Sequence, residues 1–516
     1  MPDIHGEIDI AEQSASASTS AAAAMTGPYA FIYLTANLVP AAVGFFALIL
    51  YTHLLSPAEY GVYVVGASIA GLVGALFFTW VRLSVSRYQA SSPDINLRPE
   101  ATVAYVGTVA VLACLAPLVL FVVRPDISFT LVAASLFLSL STAIFEISQE
   151  FRRAQLNPLR FTIVAVIRSV TAVALGYFAI KIGGGGLGLL LAIGASFLVA
   201  NVASLRRDAQ RPLRLCSTEN LKRFIRYGTP FSLGAITISL HNALDRLGVA
   251  YLLGASAAGY YGLAADLTRQ IIVILASSVA SAMFPLAFRT LAQRGEAATR
   301  ERVAEGGELL LALIVPAAIW LSISANAVAG TLLGGQFQTA VAMLLPLLVL
   351  ARVCGVLNQF YVHISFQLAE KPLLQVAHDA TVLILNVALL FPLTLYFGLP
   401  GTAVAVLLAE GLGMLVGIGL SRRAFRLPLN GRGLARVAAA TAIMALVTYA
   451  ARTAFGGNGI PALLGIAASG GIAYAGAAIL LDVAGVRRLI GSLLYADTPV
   501  SPRELAVRIA ERSDAL

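Results

Sequence analysis

The chain has 516 residues, 59% of them hydrophobic and only 12% charged, with a mean hydropathy of +0.85. Those proportions exclude an ordinary soluble domain and point to a polytopic, all-α membrane protein, because apolar runs of about 20 residues recur almost without pause. A formal net charge of +9 would raise nucleic acid as a partner of a soluble chain. Here the basic residues gather between spans, where they orient the chain and meet anionic headgroups, so membrane lipids are expected as partners and nucleic acid is not.

Residues 1–28 form a Ser/Ala-rich tail with Asp3, Glu7, Asp9 and Glu12 and no Lys or Arg, too polar to pack and expected to be disordered. Fourteen spans are then predicted: 29–55, 61–81, 101–123, 128–149, 159–180, 186–204, 227–253, 259–285, 308–334, 339–367, 374–397, 400–420, 434–451 and 460–483. The connections 205–226 and 286–307 are Arg-rich and suit helices lying among headgroups. Beyond residue 483, Ser501, Pro502 and Glu504 have capping-box spacing and predict a short interfacial helix in a 484–516 tail.

Lys and Arg fall unevenly between alternate connections: twenty-eight on one side and only Arg124, Lys181 and Arg452 on the other. The positive-inside rule therefore places both termini in the cytoplasm. The outer connections are very short, such as SPAE at 56–59, GASAA at 254–258 and GLP at 398–400, which leaves no outer domain for catalysis. Cys114 and Cys354 sit in apolar runs and Cys216 in a basic loop, without metal-ligand spacing, so neither a disulfide nor a metal site is expected.

The chain repeats itself. SPAEYGVYVV (56–65) follows the first span and SAAGYYGLAA (256–265) follows the seventh. QLNPLRF (155–161) likewise opens a span, Gly turn, span and Arg206-Arg207, as AEKPLLQ (369–375) does before Arg422-Arg423. Six spans followed by six more in the same orientation predict an N-terminal lobe (29–204), a linker (205–226) and a C-terminal lobe (227–420). The last two spans (434–483) stand outside the repeat.

At this point the residues carry a family resemblance. LILYTHLLSPAEYGVY (48–63), RYGTPFSLGAITISLHNALDRLGVAYLLGASAAGYYGLAADL (226–267) and FGLPGTAVAV (397–406) together resemble the polysaccharide flippases of the multidrug, oligosaccharidyl-lipid and polysaccharide exporter superfamily. The resemblance covers roughly residues 30–485. It implies a two-lobed transporter of the bacterial inner membrane, not an enzyme, that turns undecaprenyl-pyrophosphate-linked oligosaccharide from the inner to the outer leaflet for surface polysaccharide assembly. Polymerase and chain-length proteins of such a system would be its partners. The resemblance also marks Asp245 and Arg246 as lining of a central cavity. Related peptidoglycan-precursor flippases line theirs partly with arginines of the first span; this span has none, which argues against a peptidoglycan role.

Nine polar residues inside the spans are the candidate substrate-cavity set: His241, Asn242, Asp245, Arg246, Asp266, Arg269, Arg168, Arg352 and Glu410. Charges at such depth cost about 2.5–3.5 kcal/mol on insertion scales and so face a protein interior or a wet cavity. His241 and Asp245, and Asn242 and Arg246, are four apart and share one helix sector. The helical rise puts Arg246 and Asp266 both about 10 Å from the outer end of antiparallel neighbours. Pairing of Arg246 with Asp266, or of Asp245 with Arg269, is expected, and the plain alternative is that these pairs only tie two helices together. Arg168 and Arg352 have no local carboxylate; a planar guanidinium suits pyrophosphate oxygens, against which stands pairing with Glu410.

His378, Asp379 and Glu146 fall near the inner ends of spans, where interfacial solvation is the expected reading. Prolines 40, 117, 230, 285, 316, 346 and 392 permit the bends that alternating access needs. No cofactor is expected, with H⁺ or Na⁺ coupling through Asp245, Asp266 or Glu410 left open. The rival readings are a cation-coupled drug exporter, a multispanning polysaccharide polymerase or ligase, and a passive scaffold.

Overall fold

The structure, a computed structural model, describes residues 39–91, 95–122, 128–155, 158–208, 216–428, 430–456 and 459–488. The N-terminal tail, the first ten residues of the first expected span, residues 209–215 of the expected linker and the expected C-terminal interfacial helix lie outside the described residues.

In chain order the helices are α1 (Val39–Leu54), α2 (Pro57–Phe77), α3 (Thr79–Ser91), α4 (Arg98–Val122), α5 (Phe129–Ala154), α6 (Pro158–Lys181) and α7 (Gly185–Asp208). The second half holds α8 (Thr218–Leu253), α9 (Ala255–Ile323), α10 (Ala325–Leu332), α11 (Gly335–Leu357), α12 (His363–Leu368) and α13 (Pro372–Ser421). Helices α14 (Gly431–Phe455) and α15 (Ile460–Leu481) follow, packed on each other, with α14 also against α9. A π turn, Asn358–Val362, joins α11 to α12.

Local sequence explains the boundaries. Ser56 caps α2, accepting from the Glu59 amide while the Glu59 carboxylate accepts from the Ser56 amide, and Pro57 takes the first helical position. Two helices are double. In α9 the chain breaks at Gly295 (φ 77°) and in α13 at Gly398 (φ 62°), left-handed backbone that a side chain disfavours. Each therefore covers two of the expected spans. The first arm of α9, from Ala255 to the break, is about 60 Å long at 1.5 Å per residue, twice the hydrocarbon thickness, and residues around Gly295 are exposed at its tip.

Nine helices among the described residues are long and apolar enough to cross a membrane by length and composition. The expected fourteen are not reached on that measure. Besides the two doubled helices, α8 carries Lys222, Arg223, Arg226, Asp245 and Arg246 and is too polar to count. Leu373, Tyr396, Leu446 and Leu480 project from the outer surface largely exposed, which suits lipid rather than water.

Helix α2 joins the two halves of the sequence: it packs on α5 and α7 of the first half and on α8 and α9 of the second. The two repeated segments meet there directly. A Cβ at Gly61 would overlap the Ala255 carbonyl, and one at Gly259 would overlap the Pro57 carbonyl, so the backbones of α2 and α9 touch. Around this crossing lies the largest apolar core, with Tyr60, Val64, Leu189, Tyr261, Leu267, Ile314 and Phe337 all buried.

Candidate functional site

The crossing of α2 with α8 and α9 sets the depth of the polar groups. On the α8–α9 side, an Arg246 guanidinium nitrogen lies 2.6 Å from Asp266 Oδ1, both side chains largely buried. Arg269 reaches the same oxygen at 3.5 Å from a half-exposed position. The expected Arg246–Asp266 pair is present. The alternative pairing of Asp245 with Arg269 is not: Asp245 is turned toward α13, where its carboxylate accepts from Asn386 Nδ2 at 2.7 Å, and it also accepts from Tyr261 OH at 3.2 Å. One helix thus presents two adjacent charges to different neighbours, because positions 245 and 246 are a hundred degrees apart around α8.

Glu410, on the returning half of α13, accepts from Asn358 Nδ2 at 2.8 Å and pairs with His241 Nε2 at 3.1 Å. Arg352 is thus not paired with Glu410, the alternative set against its cavity role, although both residues line one cavity of about 100 Å³ with His241, Asn242, His363, His378 and Asp379. Arg352 Nε has no hydrogen-bond partner among the described residues. A second correction concerns His378, expected to be solvated at an interface and here fully buried against His363 and Asp379. Glu146 conforms to its expectation, half-exposed with Arg82 at 3.4 Å.

Arg168 lies on α6, in the first half of the chain. Its guanidinium lies 4.3 Å over the Phe197 ring, its Nε is unpartnered among the described residues, and it lines a cavity of about 390 Å³ with Arg82, Glu146, Gln149 and Arg153. A third cavity, about 230 Å³, lies between α2 and the α8–α9 pair, walled by Ser68 and Gly71 of α2, Asn242 and Arg246 of α8, and Arg269 of α9. Asn242 borders both this cavity and the one holding Glu410. Seven of the nine candidates thus line three separate cavities rather than a single pocket, while Asp245 and Asp266 lie in the walls, held by Asn386 and Tyr261 and by Arg246.

Four residues outside that set complete the site: Tyr261, Asn358, His363 and Asn386. Asn386 was visible as a lone amide in an apolar run, the signal that marks a buried polar partner. Removing Asp245 strands both its donors in a dry core, where each unsatisfied group costs about 1–3 kcal/mol. Asp245→Ala is accordingly expected to lower the melting temperature of the detergent-purified protein, and adding Asn386→Leu should recover part of the loss. Equal melting of wild type and Asp245→Ala would remove this account of the residue.

The arrangement defines a class first: an all-α, multi-pass membrane fold with charged cavities among its helices. The family model described as "Polysaccharide biosynthesis protein" matches residues 29–291, and the chain belongs to that family. No curated protein sequence matches it. Among solved structures, it is similar to "Lipid II flippase MurJ, inward closed conformation", with TM-score 0.69 and 13% identity over 90% of this chain and 99% of that one. An inward-facing multidrug resistance MATE family transporter of the MOP superfamily follows, with TM-score 0.59 and 16% identity over 76% of this chain and 97% of that one. The chain is a multi-pass membrane protein of polysaccharide biosynthesis with the fold of this transporter superfamily.

Proposed function

We propose that the protein is a flippase that moves undecaprenyl-pyrophosphate-linked oligosaccharide from the inner to the outer leaflet of the bacterial inner membrane. Two six-helix lobes within a fourteen-span chain rock about the α2–α9 crossing, with both termini cytoplasmic. One observation carries the reading: Arg168 and Arg352, one in each lobe, line cavities with an Nε that no described residue satisfies. A buried guanidinium without a full set of acceptors is costly, and a pyrophosphate supplies acceptor oxygens in the matching planar geometry. Arg246 and Arg269, held around Asp266 beside the inter-lobe cavity, add positive charge along the path between them. Family membership and the lipid-carrier flippase named among the similar folds point the same way.

Deleting the gene should accumulate lipid-linked oligosaccharide in the inner leaflet, read by a membrane-impermeant label of the sugar. Normal delivery to the outer leaflet in a strain without a redundant flippase would end this proposal. The drug-exporter reading draws on Asp245 and Glu410 in the C-terminal lobe and on the MATE-like fold. It predicts the opposite pattern: raised sensitivity to cationic compounds with lipid-linked sugar unaffected. A double exchange, Arg246→Asp with Asp266→Arg, separates tie from contact. Restored transport would make the pair structural, and loss at normal protein level would place it on the substrate path.

A further inference from the structure

We propose that His363 Nε2, His378 Nδ1 and Asp379 Oδ1 form a binding site for a divalent transition-metal ion of the zinc class, its fourth position opening onto the cavity shared with His241 and Glu410. The separations are 3.2 Å between the two nitrogens, 2.9 Å from His363 Nε2 to the carboxylate oxygen and 3.6 Å from His378 Nδ1 to it. A tetrahedral ion about 2.0–2.1 Å from each ligand sets its ligand atoms about 3.3 Å apart. The three edges straddle that value, so an ion enters with shifts of a few tenths of an ångström.

Hydrogen-bond accounting points the same way. His378 Nε2 lies 3.1 Å from the Gly413 carbonyl, which can only accept, so Nε2 carries the proton and Nδ1 of the neutral ring is a bare lone pair. That lone pair and the Asp379 carboxylate are two acceptors facing one point, with a single N–H of His363 to serve both. A cation at the centre satisfies all three atoms. The Gly413 carbonyl then plays the part that an outer hydrogen bond plays for metal-bound histidines, fixing ring orientation and tautomer.

The surroundings are shaped for the group. The π turn Asn358–Val362 delivers His363 to the cluster at the point where α11 loses regular register. Gly417 gives room, since a Cβ there would stand 2.8 Å from His378 Nε2. Phe366, fully buried, lies tilted about 6 Å from both imidazoles and forms an apolar wall beside them. Two imidazoles with one carboxylate favour zinc-class ions over Mg²⁺ or Ca²⁺, which take oxygen ligands. The expectation of no metal site rested on cysteine spacing and did not weigh these histidines.

The site is independent of what the protein transports, and its test needs no transport. The full-length chain, purified in detergent and stripped with chelator, is titrated with Co²⁺ for its tetrahedral d–d absorption, then with Zn²⁺ in competition. One ion per chain is expected. His363→Gln, His378→Gln and Asp379→Asn should each weaken binding at least about 100-fold, beyond the 10- to 100-fold typical of outer partners. His53→Ala, altering an exposed histidine on α1, should leave it unchanged. Absent stoichiometric binding, or binding indifferent to the three variants, overturns the proposal. So does a melting temperature that responds to pH but not to Zn²⁺, which would make the cluster a proton site only.

Discussion

Arg168→Ala and Arg352→Ala are each expected to cut flipping roughly tenfold to a hundredfold while leaving the protein folded and at normal abundance. Each removes a charged donor aimed into a cavity, and hydrogen bonds to charged groups contribute about 1.5–3 kcal/mol. Neither removes a carboxylate's counter-charge: Arg168 rests on the Phe197 ring, and Glu410 is already held by His241 and Asn358. Stability should therefore change little, and truncation of Arg352 could even relieve a buried charge. Lysine at either position keeps the charge and loses the planar fork, so it should recover only part of the rate. Flipping is measured in proteoliposomes with a labelled lipid-pyrophosphate sugar, alongside melting curves. Wild-type rates in both alanine variants would remove the cationic-cavity mechanism.

Gly61→Val is the substitution with the largest expected effect on the fold. Its Cβ would meet the Ala255 carbonyl, backbone against backbone, where no side chain can swing aside. Overpacking typically costs about 1–3 kcal/mol, and a crossing of two main chains belongs at the upper end or beyond. Gly259→Val, against the Pro57 carbonyl, should behave alike. Gly71→Ala is the control, since a Cβ there meets nothing within 4 Å. The measure is the yield of monodisperse protein from the membrane and its melting temperature. Undiminished yield of both valine variants would mean that the crossing is looser than the structure shows.

What could be read from the sequence depended on the range of the interaction. The Arg246–Asp266 pair follows from helical rise across one short turn, and it is where that arithmetic puts it. Asp245 offered no such route, because its partner Asn386 lies 141 residues away and meets it only when α13 folds against α8. His378 was misjudged for a different reason. It was expected near a span end, but α13 doubles back at Gly398 and its second half lays Gly413 and Gly417 over the ring, replacing solvent with a helix. Polarity within apolar runs marked which residues matter, and tertiary packing decided which neighbours they serve. The repeat was legible in composition, whereas the contact of its two copies at Gly61 and Gly259 was not.

The long first arm of α9 turns the crossing into a lever. From Gly259, where it touches α2, to the break at Gly295 the helix runs for about 50 Å, far past the hydrocarbon layer. A tilt of about 10° at the contact would swing the tip by about 9 Å by the same rise, a displacement larger than most side chains are long. Any small rotation at this contact, difficult to register at the cavities themselves, would thus be magnified at an exposed helix end. A pair of spin labels or fluorophores there would report the transport cycle as distance.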